Sequence, residues 1–363
     1  MSQITFDREP VLTSSVRDLD FQLVFKTIQQ GLNLRRFTID DVPGLTPEAL
    51  RVGDEEAALR YLERFGGVVW VGETPENRRH ALTVAGVLAF TLTPDVWVES
   101  SGVDLAIYRT DPRRLARGLQ AVPPPTHANV YPVRGPIFSI IDRTVEILRN
   151  ECATSSLEGA RIVTRLDTPL NVLRELTANG VVHRDLTFLG ELVRIQVFPS
   201  AIEWISPGRL PPEKFPDDVP LTLELLLRAQ YARNPRLAMF LFHAGYIEKF
   251  GFGLDDVVAT LEAEGRDPPG FHNDTHSFRV RVVRNRTPEP GTIIRDTPES
   301  RVQRILALFA ETPTWAPQAL EARLGIPRTT LFIDLRRLTK EGRIRVSGAT
   351  RNRVYTRTDE GTS

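Results

Sequence analysis

Apolar residues recur every three to four positions along much of the chain, and each such stretch predicts a helix. The clearest runs over 136–151, where Ile137, Ile140, Ile141, Val145 and Leu148 keep the 3.6-residue period. Similar stripes predict helices over 18–30 and 47–65. Residues 81–92 form an apolar, β-rich run and 96–109 alternate loosely, so both read as strands, as does 160–165. Asp167-Thr-Pro169 offers a cap and an N1-type proline for a helix over 170–182. Residues 191–198 and 201–206 alternate apolar and polar positions around Pro199-Ser200 and predict a hairpin. A proline-rich loop over 207–220 follows, then helices over 221–232, 235–249 and 251–264, and a strand over 277–283.

After residue 298 the pattern starts afresh. Helices are expected over 301–310, 315–324 and 328–341, with Gly325 and Gly342 as stops. Ile344 and Val346 then pair with Val354 and Tyr355. Two helices, a turn at Ile326-Pro327, a third helix and a basic hairpin make a winged helix-turn-helix. Leu331, Leu335 and Leu338 mark the inner face of the third helix, which leaves Arg336, Arg337 and Lys340 largely elsewhere. A helix about 10–12 Å wide fits the major groove of duplex DNA. Arg328, Thr329 and Thr330 at its start are candidates to approach bases and phosphates, and Arg343, Arg345, Arg351 and Arg353 to neutralise phosphates from the wing. The same layout also serves dimerisation or protein contact.

Charge sharpens this division. The chain of 363 residues has 46 basic and 46 acidic groups, yet 298–363 holds 12 basic against 7 acidic, leaving an acidic body. A polyanion partner is therefore expected to bind at the C-terminal end. Pro123-Pro124-Pro125 and the stretch 286–291 punctuate the sequence. They suggest an α/β region over 1–122, a second domain over 123–286, a linker over 287–297 and the DNA-binding module over 298–358, an α+β protein overall. The longest apolar runs fall short of the ~18 residues a membrane span requires. With no visible secretion signal, a cytoplasmic protein with no membrane partner is expected. The single cysteine, Cys152, excludes an internal disulfide and any cysteine-built metal cage. It reads as a packed thiol.

One segment carries chemistry: Leu173-Arg-Glu-Leu-Thr-Ala-Asn-Gly-Val-Val-His-Arg-Asp185. Glu175, Asn179 and His183 lie four apart and share a helix face. A carboxylate can polarise a water and an amide oxygen can ligate Mg²⁺, which prefers hard oxygen donors. Polar residues at this spacing also occur on ordinary solvated helices.

This segment resembles the N-box helix of the GHKL superfamily, whose Bergerat fold binds ATP. His183-Arg-Asp185 is similar to that of bacterial RecG-like ATP-binding transcriptional regulators. Ile202-Glu-Trp-Ile-Ser-Pro-Gly-Arg-Leu-Pro211, Arg233-Asn-Pro235 and Gly245-Tyr-Ile-Glu-Lys-Phe-Gly-Phe-Gly253 resemble further elements of that group in the same order. Phe6-Asp-Arg-Glu-Pro10 and Leu82-Thr-Val-Ala-Gly-Val-Leu-Ala-Phe90 resemble the region that follows its Schlafen-type AlbA domain, a module expected to be lacking here. The resemblance implies a Bergerat-type α/β sandwich, ATP with Mg²⁺ as cofactor, Glu175 as base, Asn179 as metal ligand, and Ser206, Gly208, Gly251 and Gly253 around the nucleotide.

Ser206 stands where the family has an aspartate that accepts from the adenine amino group. The hydroxyl is a weaker acceptor, by about 1–2 kcal/mol. No GxxxxGK[ST] motif is present, so a helicase motor is not expected.

The resulting expectation is a DNA-binding transcriptional regulator with an ATP-sensing domain, acting as a homodimer on double-stranded DNA. The alternatives are a Mg²⁺-dependent ATPase acting in DNA metabolism and a non-catalytic interaction subunit.

Overall fold

A computed structural model of the chain describes residues 5–109, 127–158, 161–216, 221–229, 231–248 and 252–284 of one compact unit, Met1–Thr287. Of a second unit, Pro288–Ser363, it describes 302, 305, 306, 308, 309, 312–324, 328–348 and 354–358.

The first unit opens with helices α1 (Phe21–Asn33), α2 (Pro47–Val52) and α3 (Glu55–Phe65). Asp20 caps α1 by accepting from the Gln22 and Leu23 amides. The single helix expected over 47–65 divides because Gly53 adopts φ +72° and Asp54 starts a new helix as its cap. A hairpin of β1 (Val68–Val71) and β2 (Arg79–Leu82) leads to α4 (Val84–Phe90).

That helix corrects the strand expected over 81–92. A run that is apolar on every side does not distinguish a buried strand from a buried helix. Here the Thr83 hydroxyl caps the run by accepting from the Gly86 amide at 3.1 Å, and every residue from Val84 to Phe90 is buried. At Gly86 an added Cβ would sit 1.9 Å from the Gly67 carbonyl oxygen, so only glycine permits this approach.

Next come β3 (Val103–Tyr108), β4 (His127–Val133), α5 (Ile137–Cys152), the hairpin β5 (Ala153–Glu158) and β6 (Arg161–Leu166), and α6 (Leu170–Val182). The strand expected over 96–109 shortens to β3, because Pro94–Val96 forms a 3₁₀ turn. Then follow β7 (Val193–Val197), β8 (Ala201–Pro207), α7 (Leu223–Ala229), α8 (Pro235–His243), α9 (Phe252–Ala263), β9 (Gly270–Asn273) and β10 (Ser277–Val283). A six-stranded sheet runs β4-β3-β7-β8-β10-β9; β3 pairs with β7 in parallel and the other neighbours are antiparallel. β8 at its centre is buried along all seven residues. Because β3 lies between β4 and β7, the boundary placed at 122 falls inside one sheet and one hydrophobic core.

The cap expected at Asp167 also needs correction. Pro169 is the residue preceding α6, and no side chain caps that helix. Asp167 is instead buried against Arg284 at 2.6 Å.

The second unit has its own core, in which Leu320 of α10 (Pro317–Leu324) meets Leu331, Leu335 and Leu338 of α11 (Arg328–Lys340). β11 (Thr314–Trp315) pairs with β13 (Val354–Arg357), which pairs with β12 (Ile344–Ser347). Val302, Ile305, Leu308 and Phe309 add to the same core. The chain is thus α+β.

Candidate functional site

Helices α6, α7, α8 and α9 and strands β8, β9 and β10 enclose a cavity of about 580 Å³. α6 forms one wall and turns Glu175, Asn179 and Gly180 into it. β8 contributes Trp204 and Ser206, and the turn after it Gly208. The Asn179 amide donates to Glu175 Oε1 at 3.0 Å. Burial raises the Glu175 carboxyl above its ordinary range. The bond from Asn179 offsets this, while Asp256 and Glu248 add to the rise.

Three stretches singled out in the sequence meet at one corner. The Asp185 amide donates to the Pro207 carbonyl at 2.8 Å, and the Asp185 carboxylate pairs with Arg233 at 3.3 Å. Asn234 donates to the carbonyls of Val182 and Arg184, both at 2.8 Å. Gly208 adopts φ +92°, and an added Cβ there would lie 1.9 Å from Arg233 Nη1. Neither that conformation nor that space admits another residue. Asp7 reaches the same region by accepting from the Arg236 and Leu237 amides at the start of α8.

His183, just beyond α6, faces the cavity, and its Nδ1 is sealed from solvent without a hydrogen-bond partner among the described residues. Burial, with a smaller contribution from Arg233, pushes its pKa down to about 4, so the ring is neutral at physiological pH.

Among the nucleotide-site candidates, Glu175, Asn179, Ser206 and Gly208 line the cavity. Gly253 lies against the Glu175 carboxylate, since a Cβ there would fall 1.7 Å from Oε1. Gly251 lies outside the described residues. The Ser206 hydroxyl donates to the Gly180 carbonyl, which uses its proton inside the wall.

Sequence reasoning did not single out as site residues Arg233, Glu248 or the rings of Trp204, Phe215, Tyr231, Phe242, Phe271 and Phe278, all in the lining. Trp204, Arg233 and Glu248 fall within stretches that stood out as motifs, but nothing in a linear pattern shows that seven elements converge on one space.

The hard oxygens of Glu175 and Asn179 suit Mg²⁺. The rest of the lining does not suit a triphosphate. Among the described residues Arg233 is its one cation; that side chain pairs with Asp185 and donates from Nη2 to the Arg209 carbonyl, while Nη1 is buried without a hydrogen bond there.

In the second unit, Arg328, Thr329 and Thr330 open α11. Arg336, Arg337, Lys340, Arg343 and Arg345 are exposed, with Arg337 bonded to Glu341 at 2.9 Å. Arg351 and Arg353 lie outside the described residues. Ile333 on α11 is 66% exposed. Among the described residues no helix is long and apolar enough to cross a membrane.

Comparison with known proteins adds three findings. No curated protein matches the chain. Among solved structures, the DIP2311 protein from Corynebacterium diphtheriae is similar with a TM-score of 0.51 at 17% identity, which is a likeness of fold alone. The match covers 98% of this chain and 65% of that one, so the present chain spans just under two thirds of its length. Residues 190–282, which carry β7 to β10 and most of the cavity wall, match the family described as "Putative ATP-dependent DNA helicase recG C-terminal", and this part of the chain is therefore similar to a RecG C-terminal, ATPase-like domain.

Proposed function

We propose that the chain is a DNA-binding transcriptional regulator. In this reading Pro288–Ser363 is a winged helix-turn-helix that reads duplex DNA as a homodimer in the cytoplasm. The unit before it is a Bergerat-type sensor whose cavity holds the controlling ligand. One observation carries the reading: Arg336, Arg337, Lys340, Arg343 and Arg345 are all exposed on a small unit that keeps its own core. Arg328, Thr329 and Thr330 lie in the first turn of α11, the end that a helix-turn-helix brings to the major groove.

The test is duplex binding by the full chain at several salt concentrations. Replacing Arg336 and Arg337 together with alanine is expected to weaken binding about tenfold and lower the salt slope by about 2. Binding that survives removal of residues 288–363 undiminished would overturn the reading.

The Glu175–Asn179 pair in the cavity favours a second reading, a Mg²⁺-dependent ATPase acting in DNA metabolism, with Glu175 as base and Asn179 as metal ligand. Phosphate release from ATP by the wild-type chain should then fall about 100-fold or more in Glu175→Gln. Equal release by the two proteins, or none by either, rejects that activity.

A further inference from the structure

The charges that face the cavity are unequally answered. Arg233 is held by Asp185. Glu248 is held by both oxygens from Arg36, at 2.9 Å each. Glu175 forms no ion pair among the described residues and has only the neutral amide of Asn179 as a hydrogen-bond partner there. Around this carboxylate, which has no ion-pair partner among the described residues, the walls are aromatic and aliphatic, with Trp204, Phe271 and Phe278 along the sheet side. Aromatic faces attract cations and repel anions. The volume suits a drug-sized molecule. A triphosphate would bring several negative charges to a lining whose one described cation is paired with Asp185.

We infer that this cavity binds a hydrophobic organic cation, with its positive charge beside the Glu175 carboxylate and its apolar body against the aromatic walls. The inference rests on the cavity being the sensor site of the proposed regulator, and it replaces the nucleotide as that site's ligand. The charged groups around Glu175 are Arg174 on its own helix, Glu248 after α8 and Asp256 on α9.

Calorimetry on the full chain tests this with tetraphenylphosphonium, the neutral triphenylphosphine oxide, and ATP with Mg²⁺. The phosphonium should bind one per chain, about tenfold tighter than the neutral oxide. Glu175→Gln should abolish that difference while leaving the neutral probe's affinity unchanged. Met239→Trp, which fills the cavity, should prevent binding of both and serves if the first variant does not fold.

Equal affinity for charged and neutral probes, or an unaltered preference in Glu175→Gln, overturns the inference. So does Mg²⁺-ATP binding tighter than the phosphonium, a result that restores the nucleotide. Absence of binding by all three overturns the inference together with the sensor reading of the cavity. DNA binding measured on the same preparation shows whether the regulator reading survives.

Discussion

Arg284→Met is expected to destabilise the first unit by about 3–5 kcal/mol, measured as a fall in the denaturant midpoint. Arg284 and Asp167 have side chains only 2% and 1% exposed. The guanidinium donates from Nε and Nη2 to Asp167, from Nη1 to the Phe198 carbonyl at 3.0 Å, and from Nη2 to the Glu151 carbonyl at 2.8 Å. It thus fastens the end of β10 to the β7–β8 turn, to the last turn of α5 and to the approach to α6. Removing it takes the Arg284 counter-charge from a buried carboxylate and one donor from each of two carbonyls. Asp167→Asn should cost less, because the amide oxygen still accepts from the guanidinium. If the methionine variant unfolds at the wild-type midpoint, the pair contributes nothing and this account of how the elements are joined is wrong.

Acidification from pH 7 to pH 5 is expected to remove about 2 kcal/mol of stability through His183 alone. In the folded chain its pKa is about 4, held down first by burial and then by Arg233. In the unfolded chain it titrates near the ordinary 6.5, so between these values the unfolded state binds the proton and the folded state does not. The contribution is therefore complete above about pH 6.5 and is lost progressively as the pH falls toward 4. Unfolding by urea at both pH values checks this. His183→Gln cannot titrate, and its stability should decline less over the same interval by that amount. Parallel pH profiles for wild type and variant would show that the ring is not held neutral.

What the sequence revealed depended on how local the deciding interaction was. The limits of α6, the β7–β8 hairpin and α11 follow from apolar spacing and from turn residues within the segment. Their outlines in the structure match the pattern to within a few residues. The elements that differed were decided at a distance. Val84–Phe90 is helical because Thr83 caps it and Gly86 lets it approach Gly67, a contact 19 residues away. Asp167 looked like a cap because its neighbours suit one. Arg284, 117 residues later, claims its carboxylate instead.

The site divides in the same way. Helical spacing put Glu175 and Asn179 on one face, and they do share a cavity. The aromatic walls and the engagement of Arg233 by Asp185 arise from separate elements. No period along the chain encodes them.

The position of β3 has a consequence for synthesis of the chain. Its parallel partner β7 begins about 90 residues later, so at ~5–20 residues per second the ribosome supplies that partner only after several seconds. During that interval Val103, Leu105 and Ile107, all buried in the finished sheet, have only β4 to cover one edge of their strand. The nascent chain is therefore most exposed to aggregation and chaperone capture midway through translation, well before its C-terminal unit leaves the exit tunnel.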